Sequence, residues 1–200
     1  NISSFSSPTL SFTTQADIPN APTNLSLISK THNSVAIQWT APVVSGGSSP
    51  IASYEIYVNG TLVGTTLTAT SITASGLNSA TTYNFTVKAK NSLANLSPAS
   101  NTLTVTTDSA PDTTAPSAPS NLVASNITTN SADVAWTAST DNVGVVGYNI
   151  YLNGTLKTAT SGALSVPITG LIPSTKYSIT IKAVDAAGNI STSSTILSVT

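Results

Sequence analysis

The sequence predicts an all-β chain of two tandem antiparallel β-sandwiches, preceded by one strand that belongs to an earlier repeat. Three observations predict it: an internal repeat of 94 to 97 residues, runs in which apolar and polar residues alternate, and turn signals between those runs. Alternation with period two places one face of a strand in a core and the other in water, as in antiparallel sheets packed face to face.

The repeat is visible in two long stretches. Residues 19–25 return as residues 116–122, and residues 54–62 return as residues 148–156. A three-residue difference in length between these stretches explains why the offset falls from 97 to 94. Because similarity at a constant spacing marks a repeated structural unit, we expect two copies of one domain.

The repeat also sets the expected domain boundaries. The chain divides into the last strand of a preceding repeat with its linker, a domain, a proline-containing linker and a second domain, over residues 1–18, 19–107, 108–115 and 116–200. The first segment is interpreted as a strand because residues 10–14 resemble residues 103–107. A lone strand cannot bury its apolar face, so we expect residues 1–14 to be ordered by another module.

Alternating runs indicate the strands of each copy. Val35, Ile37 and Trp39 share one face of a run in the first copy, as Val134 and Trp136 do in the second. A longer alternating run comes later in each copy, with its apolar face formed by Tyr83, Phe85, Val87 and Ala89 and by Tyr177, Ile179, Ile181 and Ala183. Each copy is therefore expected to have one apolar face on each of several strands.

Two dipeptides give the strongest hairpin signals. Asn59-Gly60 and Asn153-Gly154 each separate two runs that are rich in β-branched and aromatic residues. Both residue types tolerate a positive φ, which tight hairpin turns require. A two-residue hairpin is predicted at each position.

Composition excludes several functions. Charged residues make up only 6% of the 200, and six basic residues nearly balance seven acidic ones. This weak charge predicts no binding to nucleic acid. No run of apolar residues is long enough to span a bilayer, so membrane insertion is not expected. The absence of cysteine excludes disulfides, thiol catalysis and cysteine-ligated zinc.

These features together resemble the fibronectin type III family of immunoglobulin-like sandwiches, over nearly the whole chain. The resemblance implies seven strands in each sandwich. The residues that carry the resemblance are Pro22, Pro119, Trp39, Trp136, the Tyr-x-Ile-Tyr runs at Tyr54 and Tyr148, and the Leu-x5-Tyr steps Leu77 to Tyr83 and Leu171 to Tyr177. The Leu-x5-Tyr step resembles a tyrosine corner, in which the phenol hydroxyl bonds to the backbone just upstream. The second copy is similar to the bacterial branch of the family.

The resemblance implies a non-catalytic structural role. Modules of this kind space the catalytic and carbohydrate-binding domains of secreted glycan-degrading enzymes, or build surface adhesins and fibres. We therefore expect an extracellular or cell-surface protein in which the pair forms a semi-rigid rod, with neighbouring repeats as partners. The alternative is a module that binds polysaccharide or surface proteins through the outward-facing Tyr57 and Tyr151 or through the loop ends.

The sequence contains few candidate catalytic residues. His32 is the only histidine and is expected in a surface turn, and Glu55 is the only glutamate and is expected on the outward face of its strand. No paired carboxylates recur in both copies, so the two-acid chemistry of glycosidases has no candidate residues. We expect no enzyme activity and no organic cofactor.

One group of residues suggests a calcium site. In a sandwich of this family, the loop between the second and third strands and the loop between the last two strands lie at the same end. In the second copy these loops carry the candidate ligands Asp141, Asn142, Asp185 and Asn189. Carboxylate and amide oxygens suit Ca²⁺. The alternative is that these residues are there for turn formation, since Asp and Asn side chains bond to their own backbone.

Eight Asn-x-Ser/Thr sequons invite a glycoprotein interpretation. One is at Asn1, and the remaining candidates for glycosylation are Asn24, Asn59, Asn84, Asn95, Asn126, Asn153 and Asn189. The alternative is chance, because a chain so rich in Ser, Thr and Asn contains such triplets at random.

Overall fold

The computed structural model describes residues 17–44 and 48–200, and these residues form fourteen β-strands. The chain separates into two compact units, Asn1–Ala110 and Pro111–Thr200, with seven strands in each. The prediction of two tandem seven-stranded antiparallel sandwiches is confirmed. The predicted leading strand, residues 1–14, lies outside the described residues.

The first domain contains a three-stranded and a four-stranded sheet. Its strands are β1 (Thr23–Lys30), β2 (Ser34–Thr40), β3 (Ile51–Val58), β4 (Thr61–Thr66), β5 (Ser71–Ser75), β6 (Thr82–Asn91) and β7 (Leu103–Thr106). The sheets have the orders β1-β2-β5 and β4-β3-β6-β7, and every pair is antiparallel.

The second domain repeats this arrangement. Its strands are β8 (Ser120–Ser125), β9 (Ser131–Thr137), β10 (Val145–Leu152), β11 (Thr155–Thr160), β12 (Ser165–Thr169), β13 (Tyr177–Asp185) and β14 (Leu197–Val199). The sheets have the orders β8-β9-β12 and β11-β10-β13-β14. The sequence repeat therefore corresponds to a repeat of topology.

Each domain has its own hydrophobic core, formed by the alternating residues of its strands. In the first domain the core contains Val35, Ile37, Trp39, Tyr54, Ile56, Phe85, Val87 and Ala89, and in the second it contains Val134, Trp136, Tyr148, Ile150, Ile168, Ile179, Ile181 and Ala183. The Trp39 and Tyr54 rings meet edge to face with centroids 5.3 Å apart, and Trp136 and Tyr148 do so at 5.2 Å. Such edge-to-face pairs add to the stabilisation from burial.

The two Asn-Gly dipeptides form the β3–β4 and β10–β11 hairpins. Asn59 has φ of 49° and Gly60 of 82°, and Asn153 and Gly154 have 52° and 81°. The asparagine side chains also stabilise the hairpins, because their Oδ1 atoms accept the N–H groups of Asn84 and Ser178, each at 2.9 Å. The same residue therefore forms the turn and ties it to the neighbouring strand.

A tyrosine fixes the crossover between the sheets in each domain. The Tyr83 hydroxyl accepts the Asn78 N–H at 2.9 Å, and the Tyr177 hydroxyl accepts the Ile172 N–H at 3.0 Å. Leu77 and Leu171, one residue before these amides, pack against the two cores. An apolar contact and a hydrogen bond to the tyrosine hydroxyl thus help to hold each crossover.

Within the described ranges, no helix has the length and apolar character needed to cross a lipid bilayer.

We expect Tyr83→Phe to lower the free energy of unfolding of the first domain by roughly 1 kcal/mol, because it removes one hydrogen bond and leaves the Asn78 N–H without this partner. Denaturant unfolding followed by tryptophan fluorescence measures this in a Trp136→Phe background, where Trp39 alone reports. Tyr177→Phe is the matched control and should leave the Trp39 transition unchanged. Equal effects of both substitutions on Trp39 would contradict separate cores.

Candidate metal centre

Three carboxylates meet at one end of the second domain. Asp141 lies in the β9–β10 loop, Asp185 ends β13, and Asp112 lies in the segment that precedes β8. One oxygen from each carboxylate lies within 4.8 Å of the other two. The structure therefore brings together the predicted Asp141 and Asp185 and adds a third acid. By sequence, Asp112 is part of the predicted linker, and nothing local in the sequence shows that this segment passes the β9–β10 loop.

Asp141 uses only one of its oxygens within the protein. Its Oδ2 accepts the N–H groups of Val143 and Gly144, both at 2.9 Å. Gly144 has φ of 132°, a conformation that favours glycine. The Oδ1 atom is buried and has no hydrogen-bond partner. The turn interpretation therefore accounts for one oxygen of Asp141 and not for the other.

The two carboxylate oxygens of Asp112 differ in the same way, one being hydrogen-bonded and the other not. Its Oδ1 accepts the Thr114 N–H at 3.0 Å and the side-chain amide of Asn142 at 3.2 Å. Its Oδ2 is buried without a hydrogen-bond partner. Asn142 thus donates to a carboxylate of the cluster through its Nδ2.

Asp185 is the most buried of the three acids, with an exposed fraction of 2%. Its Oδ1 accepts the Asn189 N–H at 2.8 Å and its Oδ2 accepts the Asn189 side-chain amide at 2.9 Å. Burial acts to raise the pKa of Asp185, but hydrogen bonds from Asn189 and from the N–H groups of Ala187 and Gly188 outweigh it and lower that pKa. Asp185 is therefore held in its charged form.

Asn189 also connects the cluster to the segment before β8. Its Nδ2 lies 3.2 Å from the main-chain oxygen of Asp112 and 3.4 Å from that of Thr114. Both asparagines that the sequence suggested as ligands, Asn142 and Asn189, direct their amide nitrogens at other groups of the cluster. They position the acids, and the acids supply the charge.

The first domain has fewer acids at the same place. Asn91 stands where the second domain has Asp185, and residues 41–50 of the β2–β3 loop contain no acid. Asp17 is near, but its Oδ2 accepts the Ser49 N–H and its main-chain oxygen accepts the side-chain amides of Asn91 and Asn95. Hydrogen bonds from Ser49 lower the pKa of Asp17. Among the described residues, the three-acid cluster is thus confined to the second domain.

Glu55 lies on the outward face of β3, as predicted, but neighbouring side chains cover it. Its exposed fraction is 8%, since it accepts the Tyr57 hydroxyl at 2.6 Å and pairs with Lys90 Nζ at 3.3 Å. The hydrogen bond from Tyr57 is the largest cause of a lowered pKa at Glu55, with Lys90 and Lys88 acting in the same direction against burial. Burial of a charged group is tolerated here because it is both paired and hydrogen-bonded.

The outward tyrosines suggested as a sugar-binding surface are partly covered as well. Lys88 Nζ lies 5.2 Å from the ring centroid of Tyr57, and Lys182 Nζ lies 5.7 Å from that of Tyr151. These are cation–π contacts to the ring faces that would stack on a sugar. His32 is half-buried in the turn after β1.

The candidate glycosylation residues fall into two groups by exposure. Asn95 and Asn189 are half-buried, and their side-chain amides donate within their own domains. The exposed asparagines are Asn24, Asn59, Asn84, Asn126 and Asn153.

A cavity of about 380 Å³ lies beside the crossover of the second domain, lined by residues that include Thr128, Ile172 and Thr175. In the first domain, main chain after β7 lies at the corresponding crossover. There Thr107 Oγ1 accepts the Thr81 N–H and donates to the Asn78 carbonyl. We assign no ligand to the cavity.

Comparison with known proteins gives one family and several relatives. The model of the family described as "Fibronectin type III domain" matches residues 20–106 and 117–200. Chitinase A1 of Niallia circulans is 45% identical over 183 residues, which cover 90% of this chain and 26% of that protein. Exoglucanase B of Cellulomonas fimi is 41% identical over 86% of this chain and 16% of that protein. The chain spans about a quarter or less of the length of these two relatives.

Among solved structures, the central fibronectin-III array of RIM-binding protein is similar. It is 27% identical with a TM-score of 0.41, over 90% of this chain and 69% of that one.

We expect Glu55→Gln to lower the free energy of unfolding of the first domain at neutral pH. This difference from the wild type should disappear in acid. A lowered pKa means that the ionised carboxylate stabilises the fold fully above its unfolded pKa, about 4.3, and that this contribution is lost as the pH falls through the folded value. Unfolding measured through Trp39 in a Trp136→Phe background, from pH 7 to pH 2.5, tests this.

The second domain is the control, since it has Asn149 at the position equivalent to Glu55. In a Trp39→Phe background, where Trp136 alone reports, Glu55→Gln should leave the pH profile unchanged. A difference between wild type and variant that persists at the lowest pH would contradict the role of the charge.

Proposed function

Because the chain belongs to the fibronectin type III domain family, we propose that it is a pair of non-catalytic spacer modules in an extracellular, multidomain bacterial protein that acts on glycans. The observation that carries the proposal is the likeness of both domains to segments of a bacterial chitinase and a bacterial exoglucanase, each of which is several times longer than this chain. In such a protein, the catalytic groups lie in other domains.

The polar groups of the described residues support a non-catalytic role. Glycoside hydrolysis uses two carboxylates that flank the bond to be broken, with room for the sugar and a water molecule. The acids of the cluster approach within 4.8 Å of one another, and two of their oxygens are buried. Glu55 is covered by its partners Tyr57 and Lys90. The oxygens of the cluster that have no hydrogen-bond partner are buried, and Glu55 is a single carboxylate that is already paired. Neither place therefore presents two accessible carboxylates.

The connection between the domains supports a spacer of limited flexibility. On the first-domain side, the Asp108 N–H donates to the Thr31 carbonyl, the Asp108 carbonyl accepts the Ala80 N–H, and its carboxylate pairs with Lys30 Nζ at 3.0 Å. On the second-domain side, the Asp112 carbonyl accepts the Asn189 amide. Only residues 109–111 lie between these attachments, and Pro111 has a fixed φ.

The partners we propose are neighbouring modules of the same chain, and the location is outside the cell. A sugar-binding function is less well supported, because Lys88 and Lys182 occupy ring faces of Tyr57 and Tyr151. The exposed sequon asparagines remain candidates for glycosylation, which intact mass measurement of the natural protein would detect.

Retention on insoluble glycans separates the spacer from the binding module. We expect the chain to stay in the supernatant of chitin and cellulose suspensions, as an unrelated protein such as serum albumin does. Retention that is lost in the Tyr57→Ala, Tyr151→Ala double variant would support binding through the outward tyrosines and contradict the proposal.

The spacer property itself is measured by the distance between the chain ends. With fluorescent donor and acceptor groups at the two termini, single-molecule energy transfer should give a narrower distance distribution than a Gly/Ser chain of 200 residues. The flexible chain has a root-mean-square end-to-end distance of about 80 Å with a broad spread. Equal widths for the two chains would contradict a spacer of limited flexibility.

A further inference from the structure

We propose that Asp112, Asp141 and Asp185 bind one Ca²⁺ ion in the second domain. The proposal goes beyond the spacer function and does not depend on it. It replaces the ligand set suggested by the sequence, since the structure adds Asp112 and assigns Asn142 and Asn189 to positioning. Three observations support it: two buried oxygens without partners, the distances between the carboxylates, and the lack of a paired lysine in the described part of the second domain.

The two buried oxygens are the first observation. Asp112 Oδ2 and Asp141 Oδ1 are shielded from solvent and accept no hydrogen bond. A buried carboxylate oxygen without a partner is costly, and charged groups that are buried are ordinarily paired or bound to metal. Because the other oxygen of each carboxylate is hydrogen-bonded, the side chains are held in place with one oxygen left free.

The distances fit a cation of the size of Ca²⁺. Calcium binds oxygen at 2.3–2.6 Å, so two of its ligand atoms lie at most about 5 Å apart. One oxygen from each of the three carboxylates satisfies that limit, since all lie within 4.8 Å of one another. One ion can therefore contact all three acids. Calcium accepts irregular arrangements of six to eight oxygens, so water or main-chain oxygens can complete the shell.

The charges also favour a cation. Three carboxylates meet here, with one oxygen of each within 4.8 Å of the other two. The ion pairs among the described residues are Lys30 with Asp108 and Lys90 with Glu55, and both are in the first domain. No lysine nitrogen therefore neutralises the cluster within the described part of the second domain. Like charges at this distance repel one another strongly when buried.

The donor set favours calcium over other metals. All three groups supply hard oxygen atoms, and the chain has no cysteine and only one histidine, His32, which is in the other domain. Zinc and copper prefer nitrogen and sulfur ligands. Magnesium requires nearly regular octahedral geometry at 2.0–2.1 Å and retains water, so it should bind here more weakly than calcium.

The first domain provides an internal control. It has Asn91 in place of Asp185 and no acid in residues 41–50, and its Asp17 carboxylate accepts the Ser49 N–H. We therefore expect one ion per chain. The ion would also attach Asp112, the residue after Pro111, to two loops of the second domain, and so shorten the free part of the linker.

Isothermal titration with CaCl2 of the metal-free 200-residue chain tests the proposal. We expect a stoichiometry near one and weaker binding of MgCl2. In Asp112→Asn and Asp141→Asn the affinity should fall at least tenfold, because the charge is lost while the amide oxygen can still accept the main-chain N–H. Asp133→Asn is the control, since Asp133 lies on β9 of the same domain and bonds to Asn126, and it should bind as the wild type does.

Thermal unfolding gives a second measurement that does not rely on heat of binding. Calcium should raise the unfolding midpoint reported by Trp136 and leave that reported by Trp39 unchanged, because a ligand stabilises only the folded domain that binds it. No heat and no shift at 10 mM Ca²⁺ would overturn the proposal. Equal calcium affinity of the wild type and of the Asp112→Asn, Asp141→Asn double variant would also overturn it. A shift of the unfolding midpoint reported by Trp39 alone would do the same.

Discussion

The structure depends on one constraint: each sheet has an apolar face that only the other sheet of the same domain can cover. The inward residues of β2, β3 and β6 meet around Trp39 and Tyr54, and the second domain repeats this around Trp136 and Tyr148. Burial of this apolar surface is the main favourable term in folding. Every loop must therefore bring the next strand to the correct sheet, and the tyrosine hydrogen bonds fix the crossover where this happens.

The same constraint determines where polar chemistry can occur. With the interior filled by side chains, the polar groups are confined to the outward sheet faces and the loop ends. On the outward face of the first domain, Glu55, Tyr57 and Lys90 satisfy one another. At the loop end of the second domain, asparagine and main-chain amides satisfy only part of the carboxylate oxygens. That difference separates a stabilising surface network from a candidate binding site.

The two domains show how one scaffold accommodates different loop ends. The amide of Asn95 bonds to the main-chain oxygen of Asp17 in the first domain, and Asn189 bonds to that of Asp112 in the second. Both domains therefore have this hydrogen bond between an asparagine side chain and the segment before the first strand. The charge differs, because Asn91 is replaced by Asp185 and the second loop acquires Asp141. The number of acids at the loop end can change from one, Asp17, to three without a change in the arrangement of the strands.

The sequence alone determined the repeat, the strands and the hairpins, because these depend on residues close together in the chain. Alternation identified the inward faces, and Asn-Gly identified the turns. It also placed Asp141 and Asp185 at one end of the domain, through the family resemblance. Only the tertiary structure added Asp112, covered Glu55 with its neighbours, and directed the amides of Asn142 and Asn189 at other groups of the cluster. The contacts of Asn142 and Asn189 with Asp112, and of Lys90 with Glu55, join segments far apart in the chain. No local sequence pattern predicts contacts of that kind.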